Sequence, residues 1–158
     1  MKTHSSHSLH SLLARLAWRL ATAAAALALL TLVAPAHAAP FTAADEKSVR
    51  AVVQGQLAAF ARDDVNKAFS YAAPNVREAV GTAANFMAMV RNDYPVVYRP
   101  ASVAFLKPEG KNEQAIQRVQ MLDASGDSWL AIYSLQRQKN KTWRITGCVV
   151  VENKGRMA

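Results

Sequence analysis

Histidine is confined to one end of this 158-residue chain. All four histidines lie within the first 37 residues: His4, His7, His10 and His37. If that segment is removed, the rest of the chain has no imidazole. The absence then excludes Ser-His and Cys-His nucleophilic mechanisms, histidine acid–base catalysis and the usual zinc sites.

Other reactive groups are also scarce. Cys148 is the one cysteine, so no internal disulfide can form, and its apolar run Ile145–Val151 is typical of a small buried side chain. The six glycines are isolated, which excludes a glycine-rich phosphate loop. Acidic residues lie at helix starts, turns and strand ends, not inside apolar strands, where an acid with a raised pKa is expected. We therefore predict no metal or cofactor site and favour a protein without enzymatic activity.

No apolar run reaches the ~20 residues that a transmembrane helix needs. The longest run, Leu20–Val33, follows three basic residues and no acid, and Ala36-His37-Ala38 then supplies a small-x-small cleavage site. This order predicts a secretory signal peptide over residues 1–38 and a single domain over residues 39–158. An uncleaved membrane anchor is the alternative. The absence of an Arg-Arg pair favours the general secretory route and a periplasmic or extracellular protein.

Basic residues outnumber acidic ones. The formal net charge is +8, with 19 Lys and Arg against 11 Asp and Glu, and three of the basic residues belong to the predicted signal peptide. The others are spread along the chain, which is typical of a solvated basic surface, while association with an anionic envelope surface is the alternative. We expect no nucleic-acid partner outside the cytoplasm.

The first half of the predicted domain has helical periodicity. Thr42 and Asp45 have the spacing of a capping box, and apolar residues then recur at three- and four-residue steps. Helices are predicted over about Thr42–Arg62, Val65–Tyr71, Asn75–Val80 and Thr82–Asp93. A residue before proline prefers extended geometry, so Val96–Pro100 is predicted to be an extended connector after Tyr94-Pro95.

Strand periodicity dominates from residue 101 onward. Strands are predicted over Ala101–Leu106, Glu113–Leu122, Ser128–Gln138 and Thr142–Val151, and Lys107–Asn112 is predicted to be a turn. Short turns between alternating strands give an antiparallel meander. The predicted fold class is α+β, with N-terminal helices packed on the sheet.

Symmetric hairpins give this sheet a register. They place Gln117, Tyr133 and Gly147 in one row of the face that packs under the helices. They also set Ala131 opposite Val149. Two interpretations stay open: Tyr133 fills the gap at Gly147 and bonds to Gln117, or the row forms a pocket floor.

The opposite face of the sheet has a mixed composition. It includes Arg118, Ile132 and Cys148 in the predicted register. The mixture predicts either partial exposure or a homodimer contact through this face.

The stretch Asn85–Pro100 joins the helical half to the strand half and concentrates aromatic and basic residues. Tyr94, Tyr98 and Arg99, with Arg91, can line the mouth of a pocket that accepts an anionic or amphipathic ligand, and Phe86 is a further candidate pocket residue. The alternative is that the tyrosines pack at a corner while the arginines stay in water.

Five runs resemble a bacterial family known only as a domain of unknown function: Gln56–Phe60, Ala68–Pro74, Asn85–Val90, Tyr94–Pro100 and Trp143–Cys148. The resemblance covers about residues 45–151. The family looks like a distant member of the cone-shaped superfamily of nuclear transport factor 2, the SnoaL-type cyclases and ketosteroid isomerase. That resemblance implies helices over a curved antiparallel sheet, with a pocket between them. Enzymes of the superfamily use Asp, His or Tyr inside the cone, and Tyr133 is the one such residue placed on the inner face here.

One hypothesis and two alternatives follow. The favoured hypothesis is a secreted, non-enzymatic module that binds a small apolar or anionic ligand, or a partner protein. The first alternative is an isomerase- or lyase-like enzyme that uses Tyr133 with help from Gln117. The second is a docking or dimerisation module that uses the outer face of the sheet.

Overall fold

The computed structural model describes residues 40–154. The predicted signal peptide and its cleavage point lie outside these described residues. Within them, no helix combines the length and the apolar character that crossing a membrane requires.

Five helices precede the sheet within residues 40–154. They are α1 (Ala43–Ala61), α2 (Val65–Ser70), α3 (Pro74–Val80), α4 (Ala83–Asp93) and α5 (Pro95–Tyr98). The predicted capping box opens α1, because the Thr42 hydroxyl accepts from the Asp45 N–H while the Asp45 carboxylate accepts from the Thr42 N–H at 3.0 Å. Similar side-chain caps open α2 at Asp64 and α4 at Thr82. The helical predictions for residues 42–93 are confirmed.

The segment after α4 differs from its prediction. Residues 95–98 form the short helix α5 rather than an extended connector. Pro95 occupies the first helical position, where its missing N–H costs nothing and its fixed φ suits the helix. Only the residue before it, Tyr94, leaves the helical region, with φ −133° and ψ 52°.

Five antiparallel strands form one sheet. They are β1 (Ser102–Phe105), β2 (Glu109–Lys111), β3 (Gln114–Leu122), β4 (Ser128–Arg137) and β5 (Trp143–Glu152). The order is β1-β3-β4-β5, and β2 also pairs with β3. The α+β class and the antiparallel meander are therefore confirmed, whereas residues 109–111 are a strand and not part of a turn. Asn112 and Glu113 make the β2–β3 connection with φ 52° and 64°, the left-handed values of a type I′ hairpin.

The predicted register is right for the β3–β4 hairpin. In the β4–β5 hairpin it is right only for the half next to the turn. Gln117 pairs with Tyr133 as predicted. Between β4 and β5 the register shifts at Ser134, which pairs with Gly147 while its neighbour Leu135 pairs with Ile145. Thr146 is the extra residue of this β-bulge.

The bulge changes which residues of β5 face the helices. Tyr133 pairs with Cys148 rather than Gly147, and Ala131 pairs with Val150 rather than Val149. Side chains alternate along a strand, so the one-residue shift turns Cys148 inward and Val149 outward. Val149 is accordingly 60% exposed. The predicted placements of Cys148 on the outer face and Val149 on the inner face are wrong for this reason.

The core lies between the helices and the inner face of the sheet. Its fully buried members come from both layers and include Val49, Val53, Phe60, Met87, Val119, Met121, Tyr133 and Leu135. Burial of this apolar surface stabilises the two layers against each other. Three larger apolar side chains stay exposed: Val149 and Val151 on the outer face of the sheet, and Val103 on the edge strand β1. The homodimer contact through this face stays a prediction.

Candidate functional site

A cavity of about 250 Å³ lies between the helices and the inner face of β4 and β5. It is lined by Gln56, Phe60, Ala72, Val76, Val80, Phe86, Met89, Val90, Tyr94, Val97, Tyr133, Ile145, Gly147 and Cys148. None of these side chains is acidic or basic. The cavity is thus apolar with three polar side chains, those of Gln56, Tyr94 and Tyr133, and one thiol.

Tyr133 is the buried polar group of the cavity. Its side chain is 1% exposed, and its hydroxyl has no hydrogen-bond partner among the described residues. Burial raises the pKa of Tyr133 well above 10, and the adjacent Cys148 sulfur raises it further. The phenol is therefore neutral and has an O–H group available to donate to an acceptor.

Cys148 is the second reactive group of the cavity. Burial raises the pKa of its thiol to about 12, an increase that the neighbouring Tyr133 hydroxyl only partly offsets. At neutral pH the sulfur is a protonated thiol and a poor nucleophile, because the thiolate is the reactive form.

Gln117 stands opposite Tyr133 but does not bond to its hydroxyl. The Gln117 amide nitrogen donates instead to the carbonyl oxygens of Leu106 and Arg118, each at 2.8 Å. The interpretation of Gln117 and Tyr133 as a satisfied pair is wrong, because the chain after β1 brings the Leu106 carbonyl to this amide first. Gln117 is fully buried and does not line the cavity.

Three other predicted site residues do line the cavity. Phe86, from α4, packs against Phe60 and Phe69 with ring centroids 6.0 and 5.4 Å apart. Tyr94 follows the end of α4. Gly147 lies just after the bulge, and a Cβ built on it would meet no atom within 4 Å. The missing side chain at Gly147 therefore leaves open space.

Tyr98 and Arg99 lie outside the cavity and converge on Asp63. The Tyr98 hydroxyl donates to one Asp63 oxygen at 2.5 Å, and Arg91 donates to the same oxygen at 2.8 Å. Arg99 donates to the other oxygen at 2.8 Å. Both guanidinium groups also lie over the Tyr98 ring, at 5.2 and 4.9 Å from its centroid. We refer to these four residues as the Asp63 cluster.

The Asp63 cluster joins the end of α1 to α4 and α5. Hydrogen bonds from Tyr98 and Arg91 lower the pKa of Asp63 below its usual value. The cluster fixes three elements that form one wall of the cavity, because Phe60, Val90 and Val97 come from them. The interpretation of the tyrosines as corner residues describes Tyr98, although the arginines are paired as well as half-exposed.

Sequence reasoning missed several residues of this site. Cys148 was placed on the wrong face, and only the bulge at Thr146 would have corrected it. Gln56 is a buried polar residue in the apolar stripe of α1, and its amide donates to the Ala68 carbonyl at 3.2 Å. A polar residue within an apolar stripe is visible in the sequence, and it could have identified Gln56 as a site residue. The sequence around Asp63 does not indicate its role, because its hydrogen-bond partners lie 28 to 36 residues away along the chain.

The described residues contain no group of three or more His, Cys, Asp and Glu side chains arranged to hold a metal ion. The cavity offers hydrogen bonding from a phenol and an amide, and contact with apolar surface. That chemistry suits a neutral organic molecule better than an ion.

Helices over an antiparallel meander, with an apolar cavity between the layers, define a small α+β domain. The chain belongs to the family described as a domain of unknown function, DUF4864, which matches residues 42–158. Among solved structures, a crystal structure of an NTF-2 like protein of unknown function from Burkholderia xenovorans LB400 is similar over 72% of this chain and 88% of its own, with 14% identity and a TM-score of 0.45. No curated protein matches the chain in sequence.

Proposed function

We propose that this domain is a binding module for a small, neutral, mostly apolar ligand that carries one hydrogen-bond acceptor. The observation that carries the proposal is the buried Tyr133 side chain in the wall of an apolar cavity of about 250 Å³, because its hydroxyl has no hydrogen-bond partner among the described residues. A dry cavity of ~150 Å³ holds benzene, so this cavity suits a ligand of roughly ten non-hydrogen atoms.

The orphaned hydroxyl favours a ligand with an acceptor. A buried polar group without a partner costs about 1–3 kcal/mol, and a ligand oxygen that accepts its proton removes that cost. The hydrogen bond from Tyr133 to such an oxygen is specific, since no cationic side chain in the apolar lining competes for the oxygen. A ketone, an aldehyde or an ester meets this requirement.

The lining residues of the cavity argue against the anionic ligand that the sequence also allows. No Lys or Arg lines the cavity, and an unpaired anion in apolar surroundings is strongly disfavoured. Arg91 and Arg99, in the stretch Asn85–Pro100, are already paired with Asp63.

The protonation states argue for binding rather than catalysis. An isomerase or lyase needs a base near the ligand, and the cavity offers none among its lining residues. The Tyr133 phenol and the Cys148 thiol are both held in their protonated forms by burial. A protonated phenol can orient a carbonyl without abstracting a proton from it.

A matched pair of probes tests the proposal. Acetophenone and α-methylstyrene have nearly the same shape, but only acetophenone has a carbonyl oxygen. Amide chemical shifts followed during titration should locate acetophenone at Phe86, Val97 and Cys148, with tighter binding than α-methylstyrene. In Tyr133→Phe the affinity for acetophenone should fall about tenfold, whereas that for α-methylstyrene should stay the same.

Two results would contradict the proposal. If neither probe shifts the cavity residues at millimolar concentration, the cavity does not take ligands of this size. If both bind equally and Tyr133→Phe changes neither affinity, the hydroxyl does not select an acceptor.

A further inference from the structure

Helix α3 is attached to the domain more weakly than any other wall of the cavity. None of its seven residues, Pro74–Val80, is buried. Only Val76 and Val80 line the cavity, and both are half-buried. Arg77 and Glu78 form no ion pair with the described residues. Segments with few buried contacts open at low free-energy cost.

We propose that α3 is a lid that opens to admit the ligand, an inference that rests on the proposed function of the cavity. Opening α3 removes the two valines from the cavity wall and leaves the rest of the core in place. The lid makes ligand entry depend on a local motion and not on unfolding of the domain.

The ends of α3 suit this motion. On one side, the Ala73 N–H donates to the Ile145 carbonyl at 2.8 Å, and Ala73 is 1% exposed, so the chain is held to β5 there. On the other side, Gly81 has φ 85°, and nothing lies within 4 Å of the position of its Cβ. A fixed point at one end and a glycine in open space at the other form a hinge.

The opposite wall is held far more firmly. The Asp63 cluster joins α1, α4 and α5 through three hydrogen bonds to one carboxylate. Phe60 and Phe86 are almost completely buried on that side and pack against each other. Of the two sides of the cavity, α3 is the one that can move without breaking a buried contact.

Cys148 is a native reporter of lid opening. It lines the cavity and is partly buried against the core. With α3 in place Cys148 is only partly accessible, so the rate at which an organomercurial reacts with Cys148 should rise when the lid opens. The reagent needs no ligand, which separates this test from the test of the proposed function.

Two glycines with similar positive φ angles supply the variants. Gly81 ends the lid, and Gly126 lies in the distant β3–β4 turn with φ 87° and equally open surroundings. An alanine at either position is strained by the positive φ and should lower the denaturation midpoint similarly. Gly81→Ala should raise the rate of Cys148 labelling about fivefold, while Gly126→Ala leaves it unchanged.

If Gly81→Ala does not fold, a second pair of variants tests the lid proposal. Val80→Ala removes a lid contact with the cavity, and Val103→Ala removes an exposed side chain on β1. Faster labelling in Val80→Ala alone supports the lid.

If Cys148 is labelled at the same rate in the lid variants and the control variants, labelling follows global unfolding of the domain. That result would contradict the proposal that α3 is a lid. Wild-type labelling as fast as that of the urea-unfolded chain would also overturn it. If the lid variants behave as expected but acetophenone fails to slow the labelling, the proposed ligand is wrong and the lid motion stands.

Discussion

The indole nitrogen of Trp143 donates a hydrogen bond to the Asp45 carboxylate over 3.3 Å, although 98 residues separate them in sequence. Arg137 binds the same carboxylate. Phe41 adds an edge-on contact with the Trp143 ring at 5.9 Å. These contacts fasten the first turn of α1 to the end of the sheet, on the side of the domain away from the Asp63 cluster.

Acid should loosen this attachment through Asp45. Burial raises the pKa of Asp45, but hydrogen bonds from Thr42, Trp143 and Arg137 outweigh that effect and lower the pKa from 3.8 to about 2. A group with a lowered folded-state pKa stabilises the protein above its ordinary pKa and loses that contribution as the pH falls through the lower value. The relevant window runs from about pH 4 to pH 2.

Urea denaturation at pH 5 and pH 2.5 measures the effect. Between these pH values the wild type should lose ~1.5 kcal/mol more unfolding free energy than Asp45→Asn does. The control is Asp127→Asn in an exposed turn, which should keep the pH dependence of the wild type. If Asp45→Asn shows the same pH dependence as the wild type, the carboxylate does not titrate as the geometry requires.

Much of the architecture could be predicted because it depends on local signals. Thr42 and Thr82 cap helices by contacts three residues away, and the hairpin that pairs Gln117 with Tyr133 is set by a short turn. Such contacts can be read from spacing alone. This is why the boundaries of α1 to α4 and of β1, β3, β4 and β5 are nearly right, whereas the short elements α5 and β2 were not predicted.

The errors arise where a contact is not local or a turn lacks its usual residues. Nothing in the β5 sequence distinguishes Thr146 as the extra residue of a bulge, so half of one strand was assigned to the wrong face. The β2–β3 hairpin turns at Asn112-Glu113, where Asn-Gly is the usual signal. The cavity itself combines residues of α1, α3, α4 and β5, a convergence that only the folded chain reveals.

Adjacent valines test the bulge directly. Val149 is exposed on the outer face, whereas Val150 pairs with Ala131 and packs against the core. Val149→Ala should change the free energy of unfolding by no more than about 0.5 kcal/mol, the range of ordinary surface changes. Val150→Ala should cost roughly 1 kcal/mol because it removes buried methyl groups. Urea denaturation of both variants decides the register, and the reverse order would restore the unshifted pairing.

The Asp63 cluster should respond to salt. Asp63→Asn keeps a residue type that tolerates the left-handed φ of 56° but removes the charge that Arg91 and Arg99 share. We expect a lower urea midpoint at low ionic strength and a smaller difference from wild type at about 1 M NaCl, where exposed charges are screened. Asp127→Asn again serves as the control and should show little change at either salt concentration. A midpoint unaffected by Asp63→Asn at low salt would mean that the cluster does not hold the wall.

Gly147 and Gly55 give opposite predictions for the same substitution. A Cβ at Gly147 meets nothing within 4 Å, so Gly147→Ala should leave stability unchanged or raise it by about 0.5 kcal/mol through reduced freedom of the unfolded chain. A Cβ at Gly55 would lie 2.3 Å from the Tyr71 hydroxyl oxygen, so Gly55→Ala should cost ~1–3 kcal/mol. Gly147 pairs with Ser134 on the outer face of the sheet, so the added methyl group points away from the cavity and should leave acetophenone binding in the titration described above unchanged. A loss of stability in Gly147→Ala as large as that in Gly55→Ala would show that the space beside Gly147 is filled, and the register at the bulge would then be wrong.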